Sequence, residues 1–322
     1  MVLTVTLNPI LESRFFTPGF SAGKNYRDCL HQYTAGGKGI NVSRQLNKLG
    51  VKNVALTFAG GASGRIFKET LEKENINSTI INTKSEIRCG SVIIDEKAAS
   101  VTNLMGINAN ISKNEIDEML KKVEKMISMC EFLVLSGSSP CKETDIIFPL
   151  CIEYASKHDK IVILDTYGEH LLECYSKSPL IVHNNFDEIH GILNFDKNNP
   201  DSINLFFESI FDKFGVKMVL TTNGGNNFPV RNFGYDYMVE LPNVHTIDST
   251  GSGDAFVAGI VYGLYNDLVF TDYLKVATAL GAMNASSYEV CNVEPEKAIE
   301  YSERVTLVNM GKKLSLIDAI PR

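Results

Sequence analysis

Short apolar runs alternate with longer stretches whose apolar residues recur at helical spacing. The short runs predict buried β-strands, and the longer stretches predict amphipathic helices that pack on them. The stretch 40–49 has this spacing and is followed by Gly50, a helix-stop signal. A longer helix is predicted at 111–129, with Ser112 as its cap. The predicted strands are 2–7, 51–58, 131–135, 161–164, 180–182 and 217–221.

This alternation predicts an α/β fold in three layers, a doubly wound and mostly parallel sheet between two layers of helices. Because it continues along most of the chain, we expect a single domain over residues 1–322. The segments 14–34 and 88–104 depart from it and predict two hairpins. Since a lone hairpin buries too little apolar surface, we expect the two to pair as a small antiparallel β lid, formed by about residues 12–35 and 87–105.

Charge and composition exclude several classes of protein. The 322 residues carry 31 Lys and Arg against 38 Asp and Glu, a net charge of −7, so we expect no nucleic-acid partner. No apolar run approaches the ~18 residues that span a bilayer, and the first residues lack the pattern of a secretory signal. The seven cysteines form no Cys-x-x-Cys pair, which is typical of reduced thiols. The sequence therefore predicts a cytoplasmic protein without a membrane partner.

Glycines and small polar residues follow nearly every predicted strand. A purely structural interpretation is that strand ends need turns. That interpretation accounts less well for the acidic residues among them, such as Glu12, Asp165 and Glu188. Because ligands of parallel sheets bind beyond the carboxyl ends of the strands, we expect the binding site at this edge.

The stretch 248–256, Asp-Ser-Thr-Gly-Ser-Gly-Asp-Ala-Phe, is the strongest candidate for chemistry. Gly251 and Gly253 predict a turn that opens an apolar helix, and the unpaired amides at such a helix start favour an anion. Asp254 lies in the first helical turn. It could cap the helix, or it could act as a base on a hydroxyl while the amides hold a phosphoryl group.

A second glycine-rich stretch, 35–44, contains Gly-Gly-Lys-Gly but lacks the spacing of a P-loop. Gly36 and Gly37 would let a ligand approach the backbone, and Lys38 would supply a cation. The competing interpretation is a glycine-rich helix entry with a solvated lysine.

Six motifs together resemble the ribokinase-like, phosphofructokinase-B type sugar kinases, most closely the branch with 1-phosphofructokinase and tagatose-6-phosphate kinase, over about residues 1–290. The resemblance implies ATP-dependent phosphorylation of a phosphorylated ketohexose. Fructose 1-phosphate is the preferred candidate, and tagatose 6-phosphate is also compatible. The motifs are Thr6-Leu-Asn-Pro, Gly-Gly-Lys-Gly-Ile-Asn-Val-Ser-Arg at 36–44, Ser136-Gly-Ser-Ser-Pro, Asp165-Thr-x-Gly, Asn185-x-x-Glu188 and Thr250-Gly-Ser-Gly-Asp-Ala-Phe.

The same resemblance implies roles for individual residues. Asp254 would be the general base, beside an anion hole formed by the amides of Gly251, Ser252 and Gly253. Magnesium would be organised by Asn185 and Glu188 through water, or these two would merely cap a helix. The residues implied on the nucleotide side are Asn185, Glu188, Thr222, Gly224 and Asn284. The residues implied on the acceptor side are Glu12, Gly37, Lys38, Asn41, Arg88 and Arg27.

Two further properties follow from the resemblance. A monovalent cation near Asp248 is compatible with it, and the lid favours a homodimer because an exposed hairpin sheet with apolar positions attracts a partner.

Two departures from the family pattern leave alternatives open. Glu12 stands where relatives usually have Asp, and His183-Asn184 stands where they often have Lys-Pro. The first leaves room for a kinase of an unphosphorylated sugar or nucleoside, although Lys38 and Arg88 favour a phosphorylated acceptor. The second leaves room for a catalytically weakened regulator that binds nucleotide or sugar phosphate.

Overall fold

A computed structural model describes residues 1–189 and 195–312 of this chain and contains two β-sheets. The larger has ten strands in the order β14-β13-β12-β11-β10-β9-β8-β1-β4-β5, and the smaller has four in the order β3-β2-β6-β7. The strands are β1 Val2–Thr6, β2 Ile10–Thr17, β3 Leu30–Gly36, β4 Asn53–Gly60, β5 Ser78–Thr83, β6 Arg88–Asp95, β7 Ser100–Met105, β8 Phe132–Ser136, β9 Ile161–Asp165, β10 Ile181–Asn185, β11 Met218–Thr222, β12 Phe228–Asn232, β13 Tyr235–Glu240 and β14 Thr306–Lys312.

Helices cover both faces of the large sheet, which confirms the three-layer α/β prediction. Side chains of β1 alternate between the two cores. Leu3 and Val5 join the core under α3 and α4, whereas Val2 joins the core under α1, α8 and α9. The helices are α1 Lys38–Lys48, α2 Gly61–Lys73, α3 Lys113–Ile127, α4 Ile147–Lys157, α5 Leu171–Ser176, α6 Phe186–Ile189, α7 Pro200–Glu208, α8 Ser252–Tyr265, α9 Phe270–Ala285 and α10 Pro295–Ser302.

All pairs from β5 across to β11 are parallel, whereas β12, β13 and β14 continue the sheet antiparallel. The sequence pattern predicted neither this antiparallel edge nor β5. The predicted cap of α3 is confirmed, since Ser112 and Glu115 form a capping box there.

The two predicted hairpins form the small sheet. β2 pairs with β3 and β6 with β7, both antiparallel, but the middle pair, β2 with β6, is parallel. The predicted lid of two antiparallel hairpins is therefore confirmed, and only the pair that joins the hairpins is parallel, because they lie side by side in the same direction. Register and alternation place Glu12, Arg14 and Arg88 on one face of this lid sheet.

All seven cysteines are free, and four of them are buried. No helix in the described ranges is both long and apolar enough to cross a membrane. The single-domain expectation over 1–322 stays a prediction, and its last ten residues and 190–194 lie outside the described residues.

Candidate active site

Asp254 lies at the start of α8 with only 4 % of its surface exposed. Its Oδ2 accepts a hydrogen bond of 2.7 Å from Nδ2 of Asn41 on α1. Burial raises the pKa of Asp254 to about 7, and the charge of Lys38 opposes that rise. A carboxyl group whose pKa lies near neutral pH is suited to accept a proton from a hydroxyl.

The turn before Asp254 exposes main-chain amides. Gly251 has φ 80°, which favours glycine, and a Cβ there would lie 2.5 Å from Val290. The amides of Gly251 and Gly253 have no acceptor in the described part of the chain. The amide of Ser252 instead donates to the carbonyl of Ser249 at 3.1 Å, so the structure does not support its expected place in the anion hole. Two of the three expected donors are therefore free.

Lys38 lies at the centre of a group of carboxylates. Its Nζ is 2.8 Å from Glu188 and 3.2 Å from Asp165. Burial alone would lower the pKa of Lys38, but Asp165, Glu188 and Asp254 raise it above its ordinary value. Burial likewise would raise the pKa of Asp165, yet Lys38 and His183 bring it below its ordinary value. Lys38 therefore remains charged and compensates the buried acids around Asp254.

His183 lies under the glycine turn. Its Nδ1 is 2.9 Å from Asp165, its Nε2 is 3.3 Å from the hydroxyl of Thr222, and its ring packs on Phe256 at 5.2 Å. A Cβ on Gly253 would lie 3.3 Å from the imidazole. The imidazole thus packs against the turn at Gly253. The positive charge beside Asp165 comes from Lys38.

A cavity of about 360 Å³ opens next to the turn, large enough for a small-molecule ligand. Thr222, Gly224 and Asn185 from the expected nucleotide group line it, together with Gly253. Asn284 does not line it. The Asn284 side chain is fully buried, donates to the carbonyl of Thr250 at 2.8 Å and accepts from the amide of Cys291. Asn284 therefore braces the turn from within the protein, contrary to its expected contact with nucleotide.

Asn185 and Glu188 come together at the end of β10. Oδ1 of Asn185 accepts from the amide of Asp187 at 2.9 Å, which is the contact of a helix cap. Glu188 has 26 % of its side chain exposed and reaches Lys38. An amide oxygen and a partly exposed carboxylate beside the cavity are donors that suit magnesium.

The lid contributes a buried carboxylate and a buried guanidinium. Glu12 is 7 % exposed, and its Oε2 lies 3.1 Å from Nη1 of Arg14.

Gly37 precedes α1 with φ 119°, and a Cβ there would lie 2.8 Å from Thr6. Gly37 is thus required by local packing, and its contact with the acceptor stays a prediction.

Arg88 joins a polar cluster at the other end of the lid face. Its guanidinium donates long hydrogen bonds to the carbonyl of Asn8 at 3.3 Å and to Asn108 at 3.4 Å. Asn8 also donates to Asn108 and to Ser138. The buried Nε of Arg88 has no partner among the described residues, and the terminal nitrogens make only these long contacts.

The structure does not bring Arg27 to this cluster. Arg27 is exposed in the connection between β2 and β3, and no hydrogen bond or ion pair joins it to another described residue. Sequence reasoning in turn missed Arg14, which is 2 % exposed and contacts the loop after α9. The available signal was the period of two along β2, which puts Arg14 on the face of Glu12.

The sequence matches the family described as pfkB family carbohydrate kinase over residues 17–297. A tagatose-6-phosphate kinase of Staphylococcus epidermidis is 27 % identical over 314 residues, which cover 96 % of this chain and 100 % of that protein.

Two solved structures are also similar. A protein described as a possible 1-phosphofructokinase of Thermotoga maritima superposes with a TM-score of 0.87 at 26 % identity, covering 96 % of this chain and 99 % of the other. Phosphofructokinase-2 of Escherichia coli in complex with fructose-6-phosphate has a TM-score of 0.82 at 24 % identity, covering 94 % and 99 %, and this likeness concerns the fold.

Proposed function

Because this chain belongs to the pfkB family of carbohydrate kinases, we propose that it transfers the γ-phosphoryl group of ATP to a primary hydroxyl of a phosphorylated ketohexose. The observation that carries the proposal is the buried Asp254, with its pKa near neutral, directly behind two free amides. The relatives named tagatose-6-phosphate kinase and possible 1-phosphofructokinase support the acceptor class.

Asp254 would accept the proton of the acceptor hydroxyl as its oxygen attacks the phosphorus. Asn41 orients the carboxylate through its 2.7 Å hydrogen bond. The amides of Gly251 and Gly253 would hold charge that develops on the transferred phosphoryl group. Lys38, paired with Asp165 and Glu188, would keep a positive charge near the same group.

The nucleotide would occupy the cavity beside Thr222 and Gly224. Magnesium, held by Glu188 and Asn185 through water, would screen the charge of the phosphates. The donor set fits that ion, because one carboxylate and one amide oxygen leave room for its hydration shell.

The acceptor would lie between Asp254 and the cluster around Arg88. Fructose 1-phosphate and tagatose 6-phosphate each carry a phosphate at one end and a free primary hydroxyl at the other, and both would yield a 1,6-bisphosphate. Arg88, whose terminal guanidinium nitrogens make only long hydrogen bonds within the protein, is suited to bind that phosphate. We favour fructose 1-phosphate, as the commoner substrate of this branch of the family.

The test is an ADP-release assay with magnesium and ATP. The acceptors are fructose 1-phosphate, tagatose 6-phosphate, fructose 6-phosphate, fructose, ribose and a nucleoside. Turnover on one phosphorylated ketohexose supports the proposal, and Arg88→Met should then raise KM for that acceptor while leaving KM for ATP unchanged. Turnover on unphosphorylated acceptors alone would overturn it. ATP binding without any turnover would favour a regulator.

We also propose that two copies associate through the lid. The face opposite Glu12 and Arg14 carries Tyr33 and Leu104, whose side chains are 44 % and 57 % exposed. Apolar groups on an exposed sheet favour a partner. Sedimentation at micromolar concentration should give a dimer mass, and Leu104→Asp should lower it. A monomer mass for the unaltered chain would contradict this.

A further inference from the structure

Arg14 belongs to the lid, yet its guanidinium is buried against the main domain. Nη2 of Arg14 donates to the main-chain carbonyl of Tyr288 at 2.9 Å and lies 3.5 Å from Oδ2 of Asp248. Nη1 lies 3.1 Å from the carboxylate of Glu12. One side chain therefore joins the lid, the turn that opens at Asp248 and the loop after α9.

Asp248 controls the turn that carries the free amides. Its Oδ1 accepts from the amide of Thr250 at 2.9 Å, just before Gly251. Its Oδ2 is buried without a hydrogen-bond partner in the described ranges, and Arg14 is the cation beside it there. Because an uncompensated buried carboxylate is costly, the charge of Arg14 stabilises the turn in its observed form.

A carboxylate oxygen facing a main-chain carbonyl is a set of donors that would suit a small cation. In this chain the guanidinium of Arg14 lies between these two oxygens, so the residues present do not fit a bound potassium ion near Asp248. We propose that Arg14 is a positioning residue that replaces a monovalent cation, so that catalysis is independent of potassium. This rests on the proposed function in one respect, that the turn holds the transferred phosphoryl group.

The first experiment uses the unaltered protein. Turnover is measured in potassium, in sodium and in tetramethylammonium. The ionic strength is kept constant, because a change in ionic strength by itself alters the interactions between exposed charges. Equal rates within about twofold support the proposal. An increase of about tenfold or more in potassium over tetramethylammonium overturns it.

The second experiment compares Arg14→Ala with Arg231→Ala. Arg231 is equally buried, with 2 % exposure, and pairs with Asp236 on β13. Arg14→Ala should lower kcat about tenfold or more, and potassium or millimolar guanidinium should restore part of it. A cavity of about 290 Å³ beside Arg14 gives the added ion access. Arg231→Ala should lose thermal stability but gain no response to either ion.

Melting temperature provides a readout that needs no substrate. Potassium or millimolar guanidinium should raise the melting temperature of Arg14→Ala, but not that of the unaltered protein or of Arg231→Ala. The same response in all three proteins would overturn the inference. If Arg14→Ala fails to fold, the potassium comparison on the unaltered protein decides. If no sugar phosphate is turned over, the proposed function fails while the melting data still test Arg14.

Discussion

The side-chain amide of Asn41 donates a hydrogen bond of 2.7 Å from its Nδ2 to Oδ2 of Asp254, which is 213 residues away in the sequence. Asn41 is in turn held by Arg44, whose Nη1 donates to its Oδ1 at 2.8 Å. The glycine-rich stretch at 36–44 and the turn at 248–256 are therefore one site, although each was a separate candidate in the sequence. This contact supports the ionised form of the proposed base.

Asp254→Asn should lower kcat by about 10²- to 10⁴-fold, because the amide cannot accept the hydroxyl proton. Affinity for ATP, measured by calorimetry, should stay the same, since Asp254 does not line the cavity proposed for the nucleotide. Asp272→Asn is the control, as it changes a first-turn acid of α9 that lies on the surface. Unchanged turnover in Asp254→Asn would show that another group is the base.

The pH dependence of kcat/KM should report Asp254. Because only the ionised carboxylate accepts a proton, the rate should rise with pH through about 7. Asn41→Ala removes a hydrogen bond that lowers the pKa of Asp254, so the rise should move to higher pH. Asn47→Ala, on an exposed position of the same helix, should leave the profile in place. A profile that stays fixed in Asn41→Ala would contradict the assignment.

The stability of the ligand-free protein should also depend on the ionisation of Asp254, but in the opposite direction to the rate. The pKa of Asp254 is raised from an ordinary value of 3.8 to about 7, so the folded state binds more protons in this range and stability falls as pH rises through it. Asp254→Asn should therefore melt at a higher temperature than the unaltered protein above pH 7, with a smaller gain towards pH 4. Thermal melts across this range without ligands measure the difference, and a gain independent of pH would argue against the raised pKa.

Glu188→Gln should raise the magnesium concentration that gives half-maximal activity by about tenfold or more, because a charged donor is replaced by a neutral one. The substitution also removes the negative charge that pairs with Lys38. Glu173→Gln, an exposed first-turn acid of α5, is the control and should leave the magnesium response unaltered. The measurement is a magnesium titration at saturating ATP. An identical curve for both variants would remove Glu188 from the metal site.

The alternation of strands and helices determined the α/β class by itself, because a parallel sheet buries both faces and so leaves continuous apolar runs in the chain. The turn at 248–256 was equally visible, since glycine spacing and a helix start are local features. The partly exposed, antiparallel edge of β12, β13 and β14 was not, because its short strands have no strong pattern of their own.

Only the tertiary structure decided how the charges pair. The sequence did not reveal that Lys38 pairs with Asp165 and Glu188, or that Asn284 donates a hydrogen bond to the carbonyl of Thr250 in the glycine turn. Arg14 carried no signal beyond its place on a strand, and its partners Asp248 and Tyr288 are more than two hundred residues away. Sequence patterns report local spacing and burial, whereas electrostatic partners depend on distances that exist only once the lid and the sheet edge have packed together.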